Sequence, residues 1–146
     1  MEIRNMQIED YEEVYALWRA TPGMGLNDID DSKEGIAKYL KRNPDTSFVA
    51  IANNEIIGTI LAGHDGRRGY ISHTAVAVLH RKKGIGTALA DACLAAMEKE
   101  GIAKVALVVF AHNETGNAFW EKQGFTLREN ICYRNKTLQP MVRIDT

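Results

Sequence analysis

At 146 residues, with 45% hydrophobic and 25% charged side chains and a formal net charge of −1, the chain has the size and composition of one globular domain, read as residues 1–146. Its 18 basic residues are balanced by 19 acidic ones spread along the chain, which argues against nucleic acid as a partner. Met1-Glu2-Ile3-Arg4 does not begin a signal peptide and no apolar run approaches a membrane span, so a cytoplasmic protein with no membrane partner is expected.

Glu2 to Met6 alternates weakly and predicts a short first strand. From Asp10 the period changes: Tyr11, Val14, Tyr15 and Trp18 fall at i, i+3, i+4 and i+7, one apolar face of a helix that Thr21-Pro22-Gly23 ends. The acidic stretch Met24 to Asp31 has no period, and Asp31 or Ser32 can cap a second helix carrying Ile36, Tyr39 and Leu40. Asn43-Pro44 closes it. Ser47–Ala52 and Ile56–Ala62 read as strands joined by Asn53-Asn54, a two-residue turn whose residues tolerate positive φ. A second turn, from His64 to Gly69, leads to a third strand of this meander, Tyr70–Val78. By simple alternation, Tyr70 and Ser72 share one face of that strand and His73 takes the other.

Arg81-Lys82-Lys83-Gly84-Ile85-Gly86-Thr87 follows at a strand-to-helix junction. The start of a helix leaves backbone N–H groups unpaired and carries roughly half a positive charge. Gly84 and Gly86 have no side chain to keep a phosphate away, and three cations flank them, so the stretch reads as an anion cradle. A long helix, Gly84 to Glu100, buries Leu89, Cys93, Ala96 and Met97 and stops at Gly101. Val105 to Phe110 is an apolar run suited to a strand covered on both faces. Asn113 can cap a short helix from about Glu114 to Gln123, stopped by Gly124, and Phe125–Leu127 with Ile131–Leu138 predicts a closing hairpin. Trp120 and Phe119 read as core. Cys93 and Cys132 read as reduced core thiols, and His64, His73, His80 and His112 lack metal-ligand spacing, so no metal is expected.

This order, a strand, an R-x-x-G-x-G turn, a long helix, a buried strand, then Asn113, Ala118, Phe119-Trp120 and Gly124-Phe125, resembles the GNAT family, the Gcn5-related N-acetyltransferases, over nearly the whole chain. The resemblance implies an α/β (α+β) fold with a mixed central sheet of about seven strands, whose parallel strands 4 and 5 splay apart, flanked by about four helices. It implies acetyl-coenzyme A as acyl donor: Arg81, Lys82, Lys83, Gly84, Ile85, Gly86 and Thr87 hold the pyrophosphate, backbone groups of Val76 and Val78 meet the pantetheine amides, and Asn113 bonds the arm from the far side. The acceptor, a small-molecule or peptide amine, would lie against a wall between the first two helices, where Asn27 and Asp28 stand. Family analogy also allows a homodimer through the C-terminal strands.

Two residues depart from the family. Where many members carry a tyrosine thought to protonate the leaving thiolate, this chain has Trp120, whose indole N–H is no acid near neutral pH. Where some have a basic Glu at the start of the central strand, Tyr70 stands. The proton-transfer candidates are therefore Tyr70, Ser72 and His73. Freeing the lone pair of an alkylamine at pH 7 costs about 4–5 kcal/mol, small beside what proximity and a backbone N–H near Val76, aimed at the oxyanion, can supply. The alternative reading is a domain that binds an acyl-coenzyme A without turnover. A dinucleotide-binding fingerprint is set aside, because Leu89 occupies the place of its third glycine.

Overall fold

The computed structural model describes residues 1–144. Five strands, β1 (Glu2–Asn5), β2 (Phe48–Ala52), β3 (Glu55–His64), β4 (Gly69–Val76) and β5 (Val105–Leu107), form one sheet in that order. All neighbours are antiparallel except β4 and β5. Four helices flank it: α1 (Tyr11–Arg19), α2 (Lys33–Arg42), α3 (Ile85–Lys99) and α4 (Glu114–Lys122).

The sheet is covered on both faces. On one, Ile85, Leu89, Ala90, Cys93 and Met97 of α3 pack with Ile57, Ile60, Ala62 and Ile71, and Trp120 of α4 joins them. On the other, Val14, Trp18, Ile36 and Leu40 of α1 and α2 pack with Val49, Leu61 and Ala75. Gly58 sets how closely α3 seats on β3: a Cβ there would stand 3.1 Å from both Ile85 Cγ2 and Leu89 Cδ1. The start of α3 is thereby fixed against the sheet.

Local signals act as their chemistry requires. Asn53 and Asn54 take φ of 52° and 62° in the β2–β3 turn. Of the two cap candidates, Ser32 caps α2, its Oγ accepting from the Gly35 N–H at 3.0 Å. Asp31 is released for another task. Arg4 donates twice to Asp10, at 2.8 and 2.9 Å, and this pairing holds the Asp10 carboxyl below the usual carboxylate range, against the opposing effect of burial. A carboxylate whose folded pKa is depressed contributes stability that is present above its unfolded pKa, about 4, and is lost as pH falls through the folded value. Urea midpoints of wild type and Asp10→Asn should therefore differ most above about pH 5 and converge in acid. A gap that is the same at every pH would show that the pair does not act through ionisation.

Three expectations are corrected. The sheet has five strands among the described residues rather than about seven. Phe125–Leu127 and Ile131–Leu138 suit strands by residue type, yet strands need a partner ladder, and from residue 126 to 142 the chain runs exposed with no strand partner. Its end is tied instead to the α1–α2 loop, where Asn27 and Arg143 form a single bridge and the Ile144 N–H bonds the Leu26 carbonyl at 3.1 Å. Second, Val105–Phe110 is not covered on both faces, since β5 ends at Leu107 and Val108 and Phe110 are exposed. Third, Cys93 is a buried thiol as expected, but Cys132 is exposed. No helix among the described residues is long and apolar enough to cross a membrane.

Candidate active site

A cleft of about 2040 Å³ opens between β4, the residues that follow β5, the first turns of α3 and α4, and the α1–α2 loop. It exists because β4 and β5 pair only where Gly69–Ile71 meet Val105–Leu107. Beyond Ile71, β4 stays on β3 as far as Val76, whereas residues 108–111 leave the ladder. Val108 and Phe110 turn apolar surface into this gap. Gly25, at φ +70°, closes one end, since a Cβ there would be 3.4 Å from Phe110 Cζ.

The anion cradle stands at the mouth. Lys82 and Gly84 adopt left-handed φ of 61° and 81°, turning the chain from a 3-10 turn over Val78–His80 directly into α3. Nothing lies within 4 Å of where a Cβ on Gly84 would sit. Gly86 is close to Phe119, whose ring would be 3.2 Å from an added Cβ. Arg81 Nε donates to the Val76 carbonyl at 3.0 Å and so ties the cradle to the end of β4. Ile85 is buried, so only its backbone faces an anion. Thr87 Oγ1 accepts from Gln123 at 3.1 Å, joining α3 to the chain after α4. Asn113 caps α4, its Oδ1 accepting from the Gly116 N–H at 2.9 Å.

Of the residues expected to meet the cofactor, Val76, Arg81, Lys82, Gly84, Ile85, Gly86, Thr87 and Asn113 line one cleft. Val78 and Lys83 do not: Val78 lies in the 3-10 turn after β4, and both are exposed. An extended anionic ligand fits this arrangement, with open space at Gly84, N–H groups of the first turn of α3, and a gap between strands in which no ladder competes for it. Among the described residues, no group of three His, Cys, Asp or Glu is placed to hold a metal.

On the acceptor side, Asn27 lines the cleft but is spent locally, its Oδ1 accepting from the N–H groups of Ile29 (2.9 Å) and Asp30 (2.7 Å). Asp28 does not line it; its Oδ1 accepts from the Val142 N–H at 2.6 Å and anchors the tail. Tyr70 and Ser72 both line the cleft. Burial, with Tyr133 nearby, raises the pKa of the Tyr70 phenol, and Ser72 Oγ points back to the Leu61 carbonyl at 3.4 Å.

His73 differs from simple alternation. The β3–β4 register slips between Ile60 and Leu61, pairing Leu61 with Ser72 but Ile60 with Thr74, so His73 is the extra residue of a bulge. The bulge turns it onto the α1 and α2 face, where its ring meets Trp18 at 4.9 Å. Its Nε2 is 2.6 Å from Asp31 Oδ1. Asp31 is thus a cleft residue that its reading as a helix cap concealed. The cleft also takes in His80, Thr115, Gly116 and Phe119, none singled out as ligands in the sequence. Trp120 is buried, packed edge-on against Phe119 and Phe125 at 4.8 and 5.2 Å.

Comparison with known proteins agrees with this architecture. The family model "Acetyltransferase (GNAT) family" matches residues 10–125. An acetyltransferase of Photorhabdus laumondii is 36% identical over a 144-residue alignment, covering 94% of this chain and 96% of that one. An acetyltransferase of Sodalis glossinidius is 30% identical over 138 residues, with the same coverage of 94% and 96%. Among solved structures, the PaiA N-acetyltransferase of Thermoplasma acidophilum in complex with coenzyme A superposes with a TM-score of 0.78 at 23% identity, over 89% of this chain and 92% of that one. With the strand gap and helix-start cradle in place and the family model spanning most of its length, the chain belongs to the GNAT acetyltransferases.

Proposed function

We propose that this protein transfers acetyl from acetyl-coenzyme A to a primary amine by direct attack in a ternary complex. The observation that carries it is the gap beyond Ile71, which runs from the Gly84 cradle to the α1–α2 wall and so connects an anion site to an acceptor site. Arg81, Lys82 and the first N–H groups of α3 hold the pyrophosphate, the β4 backbone near Val76 takes the pantetheine amides, and Asn113 flanks the arm. The acyl donor brings the activated thioester; the protein contributes position and an electrostatic setting. An acyl-enzyme has no thiol to form on, because neither cysteine lines the cleft and burial pushes Cys93 up to about 12.

The acceptor wall narrows the amine. Lys38, Lys41 and Arg42 line the cleft from one side of α2, and no carboxylate lies within ion-pair distance of them among the described residues. Asp30, an exposed carboxylate of the α1–α2 loop, lines the same cleft. This distribution favours an acceptor with an amine at one end and an anionic group at the other. Thiol release from acetyl-coenzyme A, measured against polyamines, aminoglycosides, free amino acids and N-terminal peptides, should be fastest with amino acids or acidic peptides. Preference for polyamines would overturn the assignment of the wall. Binding of acetyl-coenzyme A with no release from any acceptor would favour the non-catalytic module instead, for which the buried Trp120 in place of an acid is the supporting feature.

A further inference from the structure

The acetyltransferase reading leaves open which group removes the proton from the amine, and a buried pair of side chains answers it. His73 and Asp31 come from positions 42 residues apart and meet at 2.6 Å, with side-chain exposures of 15% and 5%. Asp31 is held on three sides. Its Oδ2 accepts from the Asn27 N–H at 2.9 Å, its backbone carbonyl accepts from the Tyr11 hydroxyl at 2.6 Å, and Oδ1 is left for His73. A carboxylate fixed in this way accepts from Nε2–H, so the lone pair of the imidazole lies on Nδ1.

Nothing among the described residues bonds Nδ1, and it is not among the buried polar atoms that lack a partner. It therefore reaches the cleft that both residues line. The backbone is strained to put it there: His73 has φ +23°, a region that non-glycine residues avoid, at the extra position of the bulge. Beside it, the fully buried indole Nε1 of Trp18 has no hydrogen-bond acceptor among the described residues. A strained residue and an orphaned donor at one spot are costs that a fold meant only to pack would shed.

We propose that His73 is the general base of acetyl transfer and that Asp31 is its positioning residue, an inference that rests on the transfer reading above. In the step, Nδ1 of His73 takes one proton from the ammonium acceptor, and the freed nitrogen lone pair forms the N–C bond to the acetyl carbon. The C–S bond breaks with its electron pair leaving on sulfur, which takes a second proton from the nitrogen. The third proton stays in the amide, and the one on Nδ1 passes to water in the open cleft. Every proton and electron pair is accounted for without an acid at position 120, which removes the difficulty that Trp120 raised.

The test uses the full chain with His73→Asn, since Asn tolerates positive φ at the bulge yet accepts no proton there, and with Asp31→Asn. The fastest acceptor of the panel is compared with its aminooxy analogue, whose nitrogen is already neutral at pH 7.5. For the ammonium acceptor, His73→Asn should lower kcat/KM by about 10²–10⁴-fold. For the aminooxy analogue it should change little, because no proton need be removed before attack. Equal losses with both would show that His73 only supports structure and would overturn the assignment. Asp31→Asn should act on kcat more than KM, and ¹⁵N chemical shifts of His73 should show why: Nε2–H in wild type, changed to Nδ1–H when the new amide donates to Nε2. Finding Nδ1–H in wild type would overturn the proposal without any acceptor present. Absence of thiol release by the wild type with every acceptor would instead sink the transfer reading itself, so the two failures are distinct.

Discussion

Gly84→Glu is expected to fold and to lose the melting shift that acetyl-coenzyme A gives the wild-type protein. Gly84 is the N-cap of α3 at φ +81°, and an added Cβ meets nothing within 4 Å. Any L-residue there carries a strain of about 1–2 kcal/mol, but no clash. The glutamate carboxylate would lie at the start of α3, where about half a positive charge favours it. It would occupy in cis the place that the pyrophosphate needs, and it would repel the incoming anion. At 100 times its Kd, a ligand that binds only the native state stabilises by about 2.7 kcal/mol, which for a chain of this size is a rise of roughly 5–10 °C. In Gly84→Glu that rise should vanish. Gly84→Ala carries the same strain without the charge, so it should melt lower than wild type and still show the shift. If the glutamate variant shifts as wild type does, the cradle is elsewhere.

What could be read from the sequence was what depends on short spacing. The turn at Asn53-Asn54, the glycine-rich start of α3 and its apolar stripe each arise within a few residues, and each stands where its spacing puts it. The gap between β4 and β5 was legible only through the family resemblance, because nothing in Val105–Phe110 says where its ladder ends. His73 was assigned to the wrong face for a physical reason: a bulge adds one residue, so every later side chain on β4 changes sides. Its mark is the register with β3, which no single strand carries. Asp31 was hidden by competition. Asp31 and Ser32 are both good caps, and only the fold shows that Ser32 takes the helix and leaves Asp31 to reach β4. The tail misled in the opposite way, since Ile131 and Tyr133 have strand propensity, but propensity does not supply a partner strand.

The same loop supplies a prediction whose sign separates two rules. Replacing Gly35 by Ala inside α2 should stabilise the protein by about 1 kcal/mol if helix propensity decides. The structure requires the reverse. A Cβ on Gly35 would fall well inside contact distance of the Ile29 carbonyl oxygen and 2.5 Å from that of Asp30, and both are backbone atoms with no rotamer to change. Relief must come from moving residues 29–31 away from α2. That movement breaks the Ser32 cap, including the Ser32 Oγ to Ile29 carbonyl bond at 2.7 Å, and draws Asp31 away from His73. Overpacking costs about 1–3 kcal/mol, and a lost cap adds about 1 kcal/mol. Gly35→Ala should therefore melt several degrees below wild type while still binding acetyl-coenzyme A, because the Gly84 cradle lies on the other side of the cleft. Its kcat should fall as in Asp31→Asn, because the carboxylate that orients the His73 ring is drawn away, although no new amide donor is present to shift the proton to Nδ1. A variant that melts above wild type would show that the loop yields freely. The close approach of α2 to residues 29–31 would then have no part in holding Asp31 in place.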